Sequence, residues 1–185
     1  MNKIFILIFV LFSLTAQAQD AGKFRVNFDS GVAILPEGNG IYYGFEPKYN
    51  IADNMNVGLK LSFLEVSKKL DIVGLGEETY DSNSFAVALT FDYYFNELTN
   101  SAFTPFIGAG IQNVGFSDDD FGSADSDTTF GALIRTGFEW HKLRLALEYN
   151  IIPESEFSDF DGNAFSISNS YFGIGLGFFI GGGKW

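Results

Sequence analysis

The chain of 185 residues contains no cysteine, so disulfides play no part in its stability. It has one histidine, His141, beside Trp140 in what reads as a two-residue turn. A catalytic histidine needs a nucleophile and an orienting partner in a sheltered site. A tight turn supplies neither, and His141 reads as an exposed turn residue. Beyond residue 18 no apolar run approaches 18 residues, which excludes a membrane-spanning helix. Bases are scarce: 11 Lys and Arg stand against 23 Asp and Glu, a net charge of −12, which disfavours nucleic acid as a partner.

Large apolar groups are abundant but dispersed. There are 22 Phe and 8 Tyr, yet mean hydropathy is only +0.12. Residues 1–18 stand apart, with Lys3, an apolar stretch from Ile4 to Leu14, and Ala16-Gln17-Ala18 as a small-x-small cleavage site. This is the layout of a secretory signal peptide, its apolar core too short to span a bilayer. The expectation is an exported chain with one domain over 19–185. Small soluble exported domains often depend on disulfides, so the lack of cysteine favours another stabilising device.

The last sixteen residues, SYFGIGLGFFIGGGKW, hold six glycines. A phosphate-binding loop requires G-x-G-x-x-G, or G-x-x-x-x-G-K-[ST], opening a helix after a strand. Here Gly173, Gly175 and Gly177 recur at period two, and Gly183-Lys184 is followed only by Trp185. Phe172, Ile174, Leu176, Phe178 and Ile180 occupy the other parity. Period two assigns the two sets to opposite faces of a strand, one bulky and apolar, the other nearly bare.

The same alternation recurs over 24–35, 41–50, 57–64, 85–96, 103–112, 130–140 and 143–150, giving eight strands with 170–181. Each is close to the length a tilted membrane-crossing strand needs. A soluble barrel would turn the apolar face inward, and an outer-membrane barrel turns it to lipid. The polar face decides. It is crowded with small residues, among them Gly31, Gly44, Gly58, Ala88, Gly108, Gly137 and Gly175. Open water sets no limit on side-chain size and glycine weakens strands, so the bias has a steric cause. The interior of an eight-stranded barrel, just wide enough for side chains to fill it, is that cause.

Charges agree. The polar parity carries five bases, Arg25, Lys48, Lys60, Arg135 and Arg144, and five acids, Asp29, Glu46, Asp92, Glu139 and Glu148. A balanced set is what an interior of paired charges requires. Aromatics gather at both ends of the predicted strands: Phe24, Tyr49, Tyr93, Phe95, Phe103, Phe138 and Trp140 at one rim, Tyr43, Phe63, Phe85, Phe130 and Phe172 at the other. These match interfacial girdles. The fold class expected is all-β: a closed antiparallel eight-stranded up-and-down transmembrane β-barrel.

Connections alternate in length. Ala52–Asn56, Asn96–Ala102 and His141-Lys142 are short; 67–84, 116–129 and 152–169 are long, and only Pro36–Gly40 is a brief member of the second set. Short turns face the periplasm and long loops the outside, with both termini periplasmic. The second set carries 14 acids and only Lys68 and Lys69 as bases, so the acidity of the chain belongs to it. Asp118, Asp119 and Asp120, with Asp159 and Asp161, bring together the hard oxygen ligands calcium prefers. Neither stretch fits the twelve-residue calcium loop, so a solvated acidic loop is the default reading and these five remain weak calcium candidates. No cofactor is expected.

Over the whole mature chain, including the ending GLGFFIGGGKW, the sequence resembles the small outer-membrane barrels of OmpX and OmpA-transmembrane-domain type. In texture it is most similar to the outer membrane protein beta-barrel domain proteins of Bacteroidota-like bacteria. Barrels of this kind end on an aromatic of lipid-facing parity; here Phe178 and Ile180 hold that parity and Trp185 does not. Either the chain runs past its last strand or the glycines bulge it. The resemblance implies the Gram-negative outer membrane, with surrounding lipid and lipopolysaccharide, the barrel-assembly machinery during biogenesis, and a monomer. It carries no functional motif, because such barrels serve many roles. The first functional expectation is a closed, ion-paired lumen with acidic outer loops that meet a surface partner of unknown identity. The alternative is a narrow OmpW-like conduit for small solutes, and a remote third is a lipid-modifying enzyme.

Overall fold

The computed structural model describes residues 21–36, 38–72, 76–95, 103–117, 128–158 and 164–182. The expected signal peptide, residues 1–18, lies outside them. Eight strands close into a barrel: β1 (Phe24–Leu35), β2 (Gly38–Ala52), β3 (Met55–Ile72), β4 (Gly76–Tyr94), β5 (Phe103–Ser117), β6 (Thr128–Trp140), β7 (Leu143–Ile151) and, after a separate hairpin of β8 (Ser155–Ser158) and β9 (Ala164–Ile167), β10 (Tyr171–Gly181). Consecutive barrel strands are antiparallel neighbours, and β1 pairs with β10 from Arg25↔Gly181 to Ile34↔Phe172. Closure leaves the barrel no edge, so each strand's backbone groups find partners on both sides within lipid. Among the described residues no helix is long and apolar enough to cross a membrane.

The barrel is inside-out relative to a soluble protein. Leu89 is 62% exposed, Ile111 66% and Phe130 77%, whereas Arg25, Asp92 and Glu139 are at most 1% exposed. Apolar parity points outward on all eight strands and the glycine parity points in. Polar Thr136 on the outer wall satisfies itself, its hydroxyl donating to the Phe106 carbonyl at 3.0 Å. At one end, Phe24 packs on Tyr49 at 4.8 Å between ring centroids and Phe103 on Phe138 at 4.4 Å. Toward the other end, pairing aligns Tyr43, Phe63 and Phe85 in one outward row.

The segment 67–84, expected as a loop, is largely strand. β3 continues to Ile72 and β4 starts at Gly76, paired without interruption from Ser67↔Asp81 to Ile72↔Gly76. Pro36–Gly40 likewise shortens, because β2 begins at Gly38; Phe116–Ser117 and Thr128–Thr129 are strand; and 152–169 contains the β8–β9 hairpin. The physical reason is an inversion of hydrophobic phase. Through Phe63 the apolar residues of β3 face outward, but the next two, Leu64 and Val66, are buried inward, while Glu65 and Ser67 are exposed outward. Above the aromatic row β3 therefore has the pattern of a barrel strand in water, apolar inside and polar outside, while Val32 and Ile34 of β1 still face outward. The phase slip from Phe63 to Leu64 reads in sequence as a strand end, although the backbone continues through it.

β10 ends at Gly181, and Gly181 and Gly182 both have positive φ, 81° and 77°, which glycine adopts without steric cost. Gly182 turns inward and is buried, its carbonyl accepting from Asn50 Nδ2 at 3.0 Å. Gly182 thus lies past the last strand and under the lumen, while Trp185 is outside the described residues.

Candidate functional site

The ten charged residues of inner parity converge on one layer across the lumen. Arg25 and Asp29 come from β1, Glu46 and Lys48 from β2, Lys60 from β3, Asp92 from β4, Arg135 and Glu139 from β6, Arg144 and Glu148 from β7. Nine are buried, and Asp29 is partly so. Strands β5 and β10 contribute no charge but supply room: a Cβ at Gly108 would overlap the Asp92 carboxylate, and one at Gly177 would lie 2.9 Å from Asp29 Cβ.

Asp92 is the hub. It accepts from Lys48, from Arg135 Nε at 2.7 Å and Nη2 at 3.1 Å, and from Arg144 Nη2 at 3.3 Å. Glu46 accepts from Arg135 Nη2 at 2.7 Å and Nη1 at 3.3 Å, from Thr90 Oγ1 at 2.5 Å, and pairs with Lys48 at 3.2 Å. Arg135 is therefore gripped by two carboxylates at once, the planar fork that guanidinium presents better than ammonium. On the strand-end side, Glu139 pairs with Arg25 and with Arg144 at 3.0 Å, and the Tyr94 hydroxyl donates to it at 3.0 Å. On the other side, Lys60 pairs with Glu148 at 2.6 Å and Asp29 at 3.6 Å, while Arg135 reaches Glu148 only at 3.8 Å.

Aromatic rings seal the gaps. Arg25 lies 4.0 Å over Phe179, Arg144 3.7 Å over Phe106, and Lys60 5.4 Å from the Tyr42 ring centroid. Tyr42 itself lies against the glycines of β1 and β10: a Cβ at Gly175 would overlap its hydroxyl, and one at Gly31 would come within 2.7 Å of its ring. The bare parity of the last strand thus makes room for Tyr42 at Gly173 and Gly175 and for Asp29 at Gly177. Below the layer, the Lys142 ammonium donates to the Gly181 carbonyl at 3.3 Å and sits 5.0 Å from Phe179. Partial burial, and then nearby Arg25, lower its pKa below the ordinary lysine value. Above the layer the lumen turns apolar, filled by Leu35, Leu64, Val66, Val114, Ile152 and Tyr171.

Sequence reasoning placed the ten charges on one face but left out Asn27, Tyr94, Phe106, Leu133 and Phe179, all buried within the lumen. Parity alone would have found them; they were masked by the expectation that an inner face is small and polar. His141 sits in the tight turn between β6 and β7 with φ 55°, exposed and edge-on to Trp140. The calcium candidates Asp118, Asp119, Asp120, Asp159 and Asp161 lie outside the described residues.

The arrangement has known relatives in fold. The outer membrane protein OprG of Pseudomonas aeruginosa matches with a TM-score of 0.59 and 20% identity, over 89% of this chain and 99% of that one. Neisserial surface protein A matches with a TM-score of 0.60 and 20% identity, over 86% and 98%. The N-terminal β-barrel domain of Pseudomonas aeruginosa OprF gives 0.53 and 15%, over 87% and 98%. At such identities the likeness is one of fold. No curated protein sequence matches the chain. The family described as outer membrane protein beta-barrel domain matches residues 4–178, nearly the full length. The match and the closed barrel agree, and the chain belongs to that family: it is a small eight-stranded β-barrel of the Gram-negative outer membrane.

Proposed function

We propose that the protein is a sealed, monomeric barrel without enzymatic activity, which anchors an acidic, water-exposed crown at the cell surface for contact with a partner in envelope integrity or adhesion. The observation that carries this reading is the charge layer: ten side chains from six strands, with rings stacked on three of the bases, occupy the cross-section a solute would need. The phase inversion above Tyr43, Phe63 and Phe85 supports placing that end in water, where β3 and β4 rise beyond their neighbours. In this orientation both termini are periplasmic, the long acidic connections are extracellular, and the barrel-assembly machinery inserts the chain from below. Planar-bilayer recording of the purified folded protein tests the reading. The expected result is no steady single-channel current. A reproducible current would instead assign the narrow solute conduit.

A further inference from the structure

On the outer wall, across β1 to β4, an open groove of about 680 Å³ lies beside the phase slip of β3. One part of its lining is aliphatic: Val32 and Ile41 stand opposite each other, both about half exposed. The other part is polar and acidic. Asn39, Glu65, Ser67 and Asp81 are exposed there, and the lining contains no base. Ile41 stands opposite Glu65, and Ser67 stands between Asn39 and Asp81, so Glu65 and Asp81 are diagonal neighbours across β3 and β4. Such neighbours lie roughly 7–8 Å apart, close enough for one cationic head to meet both. The Ser67 hydroxyl donates to Asp81 Oδ1 at 2.7 Å, which holds that carboxylate against the wall. Every carboxylate of the lumen layer has a basic partner, whereas among the described residues Glu65 and Asp81 have none.

We propose that this groove is a docking surface for a basic segment of a neighbouring membrane protein, which lays the stem of an interfacial lysine or arginine over Val32 and Ile41 and its charged head between Glu65 and Asp81. The inference names a partner for the water-exposed end and rests on that placement, not on the sealing of the lumen. The groove adjoins the outward row of Tyr43, Phe63 and Phe85 on the side of the barrel, so its occupant arrives in the plane of the membrane. Lysine and arginine join an apolar stem to a cationic head, which is the division this lining shows. Their heads present only donors, and the two carboxylates with the amide oxygen of Asn39 present acceptors. The same carboxylates repel an anionic headgroup, and the ammonium of a zwitterionic lipid brings its phosphate with it.

The test titrates a fluorescently labelled peptide of alternating lysine and leucine against the folded full chain in phosphatidylcholine nanodiscs, with anisotropy as the readout and empty nanodiscs as the background. The expected result is binding above that background, weakened by salt, with no binding of the glutamate–leucine counterpart. The double variant Glu65→Gln, Asp81→Asn loses two exposed pairs and should bind about tenfold more weakly. Glu154→Gln, elsewhere at the same end, should bind as the parent does. All variants should remain heat-modifiable on gels, because these side chains are exposed. Undiminished binding by the folded double variant, or equal weakening by Glu154→Gln, overturns the proposal in favour of diffuse attraction to the acidic end. So does loss of binding when phosphatidylethanolamine replaces phosphatidylcholine, which would assign the groove to a lipid ammonium. The placement is checked separately. Glu154→Cys, in a chain without cysteine, should react in the nanodisc with a membrane-impermeant thiol reagent. Reaction without selective peptide binding refutes the groove and leaves the placement standing; no reaction refutes the placement and the groove with it.

Discussion

The two halves of the lumen are closed by different physics. The half nearer the termini is filled by Arg25, Lys48, Lys60, Arg135 and Arg144 against five carboxylates, every one paired. The half above it is filled by Leu35, Leu64, Val66, Val114, Ile152 and Tyr171. Charges occupy the stretch where the wall outside is lipid, and apolar side chains occupy the stretch where the wall outside carries Glu65, Ser67 and Asp81. Along β3 the order of the apolar and the polar surface is exchanged between these two stretches. In lipid the hydrophobic demand is met by the outer wall, which frees the interior for directional pairs. In water it must be met by the interior, as in any soluble barrel.

The comparison predicts different failures. Removing one member of a buried charge pair leaves its partner desolvated and unpaired, at a cost of about 3–5 kcal/mol. Arg135→Ala removes the guanidinium that Glu46 and Asp92 share and leaves five carboxylates to four bases in the layer, so it should give the largest drop in unfolding free energy by denaturant titration in detergent. It is also the variant expected to admit ions in planar bilayers. If Arg135→Ala were no more harmful than a surface change, the charged face would be in open water and the inside-out barrel would be wrong.

Leu64→Ala probes the apolar half. Truncating a buried leucine costs about 2–5 kcal/mol, and this site should fall toward the low end because it lines a small cavity at the end of the lumen away from the termini that can collapse. No current should accompany it, since the charge layer below is untouched. A conductance equal to that of Arg135→Ala would show that the apolar half, not the pairs, is the seal.

The boundary between the halves is held by Tyr42 on its bed of glycine. Gly175→Ala forces a methyl group onto the Tyr42 hydroxyl and should cost about 1–3 kcal/mol. That hydroxyl is buried without a hydrogen-bond partner among the described residues, so Tyr42→Phe alone should be neutral or slightly stabilising. Combined with Gly175→Ala it should recover part of the loss, an interaction that a double-mutant cycle reads directly. Additive effects would mean that the ring moves aside freely. Least of all, Glu154→Ala on the exposed segment beyond β7 should change stability by under about 0.5 kcal/mol.

Much of this was legible in the residues taken one after another. Alternation alone separated the lipid face from the lumen face, because successive side chains of a strand point oppositely whatever the strand pairs with. It identified eight strands, located the ten lumen charges and counted them equal. It failed where the pattern changed along a single strand: at Phe63-Leu64 the chain keeps its conformation while the apolar side chains pass from the outer wall to the lumen, and the phase of hydrophobicity slips by one. It also passed over Tyr94, Phe106 and Phe179, since a parity assumed to be small and polar has no place for rings.

Which charge meets which was beyond reach. Arg144 pairs with Glu139, its neighbour across β6 and β7, but Arg135 is held chiefly by Glu46 and Asp92 from distant strands and reaches Glu148 only at 3.8 Å. Arg25 and Glu139 touch although 114 positions separate them, and Lys60 and Glu148 although 88 do. The face of a side chain is a local property, determined by backbone alternation and readable residue by residue. Its partner across the lumen depends on the stagger of eight strands and on the closure of β1 against β10, a condition that no segment of the chain contains by itself.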